Sequence, residues 1–233
     1  MLRTAALAVM AGMVIVLSSF AQTQTCSDQL PPPQKTNPPE KSDLRSLLLT
    51  TPELQNTEGL GLAWQEVSIG LIDGQGFFAG YSHLFSKDNE RIEIRLFSFD
   101  KDDNASAEEK AKNFIIARLK DAEAEKAILD TDPRKPDADK SKLALDLNKD
   151  AKECYCQARD VALIRATVPA RDGFANGIKL FFRLRGIVVN VEMTNRLTQG
   201  TPASPDSRDG TLLNVAKTQR NKACNSPFIK PKT

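Results

Sequence analysis

The chain has 233 residues, 40% of them apolar and 27% charged, with a formal net charge of +2. These are ordinary values for a globular protein, and the length sets an expectation of one domain or two. A balance this close to neutral supplies no field for gripping a polyanion, so nucleic acid is not an expected partner.

The start, MLRTAALAVMAGMVIVLSSFAQTQTC, reads as a targeting segment. Arg3 supplies the positive region, and Ala5 to Leu17 is apolar without a charge. Ser19-Phe20-Ala21 offers the small-x-small pattern of a cleavage site, which makes residues 1–21 a signal peptide. The apolar run is short for a bilayer span, which takes about 20 residues. An uncleaved anchor and a lipid on Cys26 are the alternatives, and Cys26 sits well beyond the apolar run. The expected location is secreted or periplasmic, with no membrane span after cleavage. Export changes the meaning of Cys26, Cys154, Cys156 and Cys224, all in the mature part. An even number in an oxidising compartment predicts two disulfides, with three possible pairings.

Residues 22–42 follow as a proline-rich linker. Its run SDQLPPPQKTNPPEKS carries five prolines among polar residues, an extended and semi-rigid composition. A single domain is expected over 43–225. SDLRSLLLTTPELQ has two helix starts, Ser42 before Asp43 and Thr51 before Pro52, with Leu47, Leu48 and Leu54 facing the core. Residues 62–99 read as antiparallel strands: AWQEVSIGLI, the turn DGQG, FFAGYSHLFS, the turn KDNE, then RIEIRLFSF. In the last of these Ile92, Ile94 and Leu96 share one face, while Glu93 and Arg95 share the other.

A helix follows. Ser106 and Glu109 match a capping box, and Ala107, Ala111, Phe114, Ile115, Leu119 and Ala122 fall at helical spacing. DTDPRKPDADKSK, residues 130–142, is polar and aperiodic and reads as a mobile loop. ECYCQA and VALIRATV look like strands, as do IKLFFRLR and IVVNVEMT, with Gly186 marking a tight turn between the last two. TLLNVAKTQRNKAC has a helical pattern with Leu212, Val215 and Ala216 on one side. Residues 226–233 read as a tail. Strands, helix, strands, helix, joined by short turns, predict an α+β fold: an antiparallel sheet whose helices can cover one face, stapled by disulfides.

RIEIRLFSF followed by DKDDNASAEEKAKNFI, with a later FFRLRGIVVNVEMT hairpin before a last helix, resembles the secreted α/β/α domains of the Mog1/PsbP-like kind over residues 60–224. The resemblance implies a compact binding or accessory domain more than an enzyme. It carries over no functional residue.

Catalytic parts are scarce. His83 is the only histidine, and on a strand its neighbour Ser82 points to the other face. There is no G-x-S-x-G elbow, P-loop or complete dinucleotide fingerprint. Asp100, Asp102 and Asn104 alternate as calcium ligands do, but Ala105 and Ala111 replace the glycine and glutamate that an EF-hand loop needs. No cofactor and no metal are expected. Asn104-Ala105-Ser106 matches a glycosylation sequon. Lys179, Arg183 and Arg185 alternate along one strand and could present a basic stripe to an acidic partner.

Cys154 and Cys156 have three readings. On a strand they would share a face about 6.5 Å apart. They could bridge to Cys26 and Cys224 in either order, form a redox pair, or bind a soft metal with Cys224. The reading adopted is an exported, non-catalytic binding or accessory domain for an unknown protein or small molecule. A cysteine-based redox or metal-handling protein outside the cytoplasm is the alternative.

Overall fold

The computed structural model describes residue 26 and residues 30–99, 104–125, 128–129, 138–170, 173–196 and 206–232. The expected signal peptide, the Asp100 and Asp102 of the acidic run and residues 130–137 of the polar loop lie outside these. Two short helices come first, α1 (Lys41–Leu47) and α2 (Thr51–Gln55). A meander follows: β1 (Gln65–Leu71), β2 (Ala79–Lys87) and β3 (Glu90–Ser98). Then come α3 (Asn104–Ala124), β4 (Ile128–Leu129) and α4 (Ala138–Asn148). A second meander, β5 (Arg159–Ala170), β6 (Gly173–Leu184) and β7 (Ile187–Arg196), leads to α5 (Asp206–Cys224).

All the strands join one antiparallel sheet in the order β1-β2-β3-β7-β6-β5-β4. The two meanders therefore meet at the β3–β7 seam, and neither half has a core of its own. The fold is α+β. Its helices cover both faces of the sheet, not one. Beneath α1, α2, α4 and α5 lie Trp64, Phe85, Ile94, Leu180, Phe182 and Val191. Beneath α3 lie Phe97, Phe99, Ile164, Phe181 and Val188. Central β7 is covered on both sides, so Ile187, Val188 and Val189 are all buried and its sequence runs apolar without alternation. The amphipathic face read for α3 is the face it buries: Ala107, Ala111, Ile115, Leu119 and Ala122 all point into the core. Its alanines let the helix approach closely. A Cβ on Gly186, in the β6–β7 turn, would lie 2.9 Å from the Cβ of Ala107.

Both short helices begin slightly before their sequence cues. Glu40 caps α1, its N–H donating to Asp43 at 3.0 Å. Thr50 caps α2, its N–H donating to Glu53 at 2.7 Å. Each is a reciprocal box, and Pro52 sits within the first turn of α2.

Three further expectations are corrected. Residues 138–142 are not loop but the opening of α4; the inward pair Leu143 and Leu147 was too brief a periodic signal beside so polar a run. The proline-rich segment and the tail are not free spacers. Residues 33 and 231 form an antiparallel bridge. Gln34 N–H donates to Lys230 O and Lys35 N–H to Pro227 O, both at 2.8 Å. Ile229 is fully buried and Phe228 nearly so. The prolines suit this because an extended strap beside one strand-like partner needs few donors of its own. Finally, Cys154–Cys156 is a single 3-10 turn, not a strand. Cys156 N–H donates to Glu153 O at 2.9 Å, and Gln157 N–H to Cys154 O at 3.2 Å.

From that turn the two sulfurs go to different elements. Cys26 pairs with Cys154 and Cys156 with Cys224, with Cα atoms 5.3 and 5.2 Å apart. One bridge ties down the strap and the other the end of α5. They join positions 128 and 68 residues apart. In the chain-entropy model each stabilises by about 4–5 kcal/mol.

Candidate functional site

The last helix organises its surroundings through buried polar side chains. Gln219, fully buried, accepts the N–H of Leu49 at 3.0 Å and donates to the carbonyl of Leu47 at 2.7 Å. It thereby closes the C-terminus of α1, where helical carbonyls lack partners. Arg220, also fully buried, donates to Leu147 O at the end of α4 and to Asn221 Oδ1. Burial pulls its guanidinium below the ordinary range. Lys222 reaches Glu53 of α2. These contacts hold α5 in place along the sheet and leave a space beside its first turns.

That space is a groove of about 460 Å³ bounded by α4, α5 and the sheet. Its floor is leucine: Leu163 of β5, Leu180 of β6 and Leu212 of α5, all buried. Its rim carries Lys142 and Asp146 of α4, Arg165 of β5 and Asp209 of α5. Arg165 is ion-paired to Asp209 Oδ2. The other oxygen, Oδ1, is buried and accepts no hydrogen bond. That oxygen has no exposed surface for a ligand to reach, while the Asp209 side chain as a whole is 38% exposed at the groove rim. Gly210 also lines the groove, and a Cβ there would meet nothing within 4 Å. The volume, leucine floor and few convergent charges are those of a small-molecule site. Its lining comes from four elements far apart in the chain, so no local sequence pattern points to it.

The residues singled out in the sequence lie elsewhere. Lys179 and Arg183 sit on β6, on the face covered by α3, and each is ion-paired. Lys179 reaches Glu192 at 3.5 Å, and that carboxylate also holds Arg95 at 3.1 Å. Arg183 pairs with Glu108 at 3.0 Å and with Asp160. Arg185 does not continue the stripe. It lies past the end of β6 in the turn, at φ +52°, and is only 7% exposed. Nε donates to Ile229 O at 3.0 Å and Nη2 to Pro31 O. A basic stripe for an acidic partner is therefore not present: one member is buried and two are neutralised.

His83 is 3% exposed on β2. Its Nδ1 lies 2.8 Å from Leu49 O, so it carries a proton and donates. Its Nε2 lies 2.8 Å from Glu66 Oε2. Both ring nitrogens are spent on joining β1, β2 and the α1–α2 link. Among the described residues no group of three or more His, Cys, Asp or Glu is placed to hold a metal. All four sulfurs are in disulfides. No helix among the described residues is long and apolar enough to cross a membrane.

No family model matches the chain, and no curated protein does. A solved structure from Bacteroides thetaiotaomicron VPI-5482 is similar over 60% of this chain, at 13% identity and a TM-score of 0.32. The match spans 38% of that protein's length. A likeness at that level carries no argument about fold or activity.

Proposed function

We propose that this is an exported, non-catalytic binding domain that holds a small amphipathic molecule in the groove between α4, α5 and the sheet. The observation that carries the reading is a leucine floor edged by the part-exposed carboxylates of Asp146 and Asp209. Such a site favours an apolar body bearing an N–H donor or cationic head: the body displaces water from the leucines and the head meets Asp209. Export is supported by the leader-like first 21 residues and by two disulfides, which persist in oxidising compartments. Both nitrogens of His83 hold structural partners, which favours binding over catalysis.

Native mass spectrometry against a matched set of decylamine, decanoate and decanol tests this. The amine should bind saturably at one site, and Asp209→Asn should weaken it by about tenfold, the loss of one charge-assisted hydrogen bond. Indifference to the head group would reject the proposed role of Asp209. An absence of binding across the set would reject the groove.

A further inference from the structure

We infer that the ligand of the groove is a zwitterion: an α-amino acid with a long apolar side chain, whose carboxylate meets Lys142 and whose ammonium meets Asp146 and Asp209. The inference rests on the binding role proposed above and specifies the head group. Four charged side chains line the groove, Lys142 and Arg165 against Asp146 and Asp209. Arg165 and Asp209 are spent on each other through Oδ2. Lys142 is exposed and Asp146 half-buried, and among the described residues neither side chain has an ion pair or a hydrogen bond.

The helix itself does not explain where these two charges stand. Lys142 and Asp146 are four residues apart on α4, so they share a face with Cβ atoms about 5–6 Å apart. The lysine comes first, which is the poorer order for a pair within a helix. Asp146 falls in the last turn of α4, which holds no basic residue, and there the helix dipole disfavours an anion. A free cation and a free anion one turn apart thus border a leucine floor. Opposite charges joined through one carbon, as in an α-amino acid, complement both.

Charge balance favours the zwitterion over a simple ion. The groove is lined by two cations and two anions. An ammonium alone would leave one positive charge in excess, with Lys142 still unpaired. A carboxylate alone would leave one negative charge in excess, with Asp146 still unpaired. Over a leucine floor a charge without a counter-charge is costly. A zwitterion keeps the groove neutral and gives each free side chain a charge-assisted partner. Its apolar tail lies over Leu163, Leu180 and Leu212, as that of the simpler amphiphile does.

Titration calorimetry of the disulfide-intact protein with three ligands of one chain length tests this. They are decylamine, 2-aminoundecanoate (decylamine with a carboxylate on the amine-bearing carbon) and the methyl ester of that amino acid, which removes the negative charge alone. At about pH 6 the amine of each is protonated. 2-Aminoundecanoate should bind at least about tenfold more tightly than its ester, the gain of one charge-assisted hydrogen bond. Lys142→Gln should erase most of that ratio. Lys149→Gln, at an exposed lysine just past the end of α4 and outside the groove lining, should leave it unchanged. Melting temperature checks that each variant folds. Equal affinity for the acid and its ester, or a preference that survives Lys142→Gln, would overturn the zwitterion and leave the cation site standing. Binding of none of the three would overturn the groove and the zwitterion together.

Discussion

Arg185 donates from Nε to the carbonyl oxygen of Ile229 at 3.0 Å, while its Nη2 holds Pro31 O. One buried side chain in a two-residue turn thus holds the proline-rich strap and the C-terminal segment against the sheet. Burial keeps its guanidinium below the ordinary range, with Glu108 opposing that shift and Arg159 adding to it. Arg185→Ala would strand two carbonyl groups and open a void. Urea unfolding should show a loss of about 2–4 kcal/mol, and hydrogen exchange should rise in residues 31–35 and 227–232 before the sheet. Unchanged protection there would mean that the strap is held by the other contacts alone.

Gly186 is required by closeness, not by its backbone angles. An added methyl would sit 2.9 Å from the Ala107 Cβ, so Gly186→Ala should destabilise by about 1–3 kcal/mol through overpacking. Pairing it with Ala107→Gly removes the clash. The double variant should then lose less than the sum of the two single changes, a coupling readable in a double-mutant cycle.

Gln219 supplies one acceptor and one donor to the end of α1, both buried. Gln219→Leu keeps the bulk and removes both bonds. The expected loss is about 2–4 kcal/mol, because Leu49 N–H and Leu47 O would stay buried without partners. A loss smaller than this, in denaturant unfolding, would mean that the α1–α2 link relaxes to find water.

Glu53 gives a pH dependence of definite sign. Burial raises its pKa, but hydrogen bonds from Lys222 and from the N–H and hydroxyl of Thr50 outweigh this and hold it below its ordinary value of 4.5. A carboxylate with a depressed folded pKa contributes stability above its unfolded pKa. That contribution is lost as pH falls through the folded value. The wild type should therefore lose melting temperature more steeply than Glu53→Gln as pH is lowered below about 4.5. The gap at neutral pH should shrink in high salt, since the side chain is 42% exposed. A constant gap across that range would assign the variant's effect to packing.

Strands and the amphipathic α3 were legible because each follows a period. Ile92, Ile94 and Leu96 alternate, and Ala107, Ala111, Ile115 and Leu119 recur every fourth residue or nearly so. α4 was hidden because its leucines, Leu143, Leu145 and Leu147, alternate as in a strand and follow a polar run. The strap was hidden for a different reason: prolines announce an extended chain but not what it lies against, and its partner is the far end of the sequence. The cysteine turn misled because C-x-C just ahead of the apolar run of β5 looks like a strand, whereas its two bridges pull in different directions. Arg185 kept the strand's alternation in sequence but fell one residue past its end, and that single step moved it into the core. The groove could not be read at all, since it assembles Asp146, Arg165, Leu180 and Asp209 from four separate elements.

The claim that the groove binds a cationic amphiphile is tested most directly by titrating decylamine into isotope-labelled protein and following backbone amide shifts. The account predicts saturable shifts centred on residues 142–146, 163–165, 180 and 209–213, much reduced in Asp209→Asn. Gly210→Leu, which puts a side chain into the open space there, should abolish them. Shifts that spread along β1 and spare the groove, or shifts that neither variant alters, would contradict it.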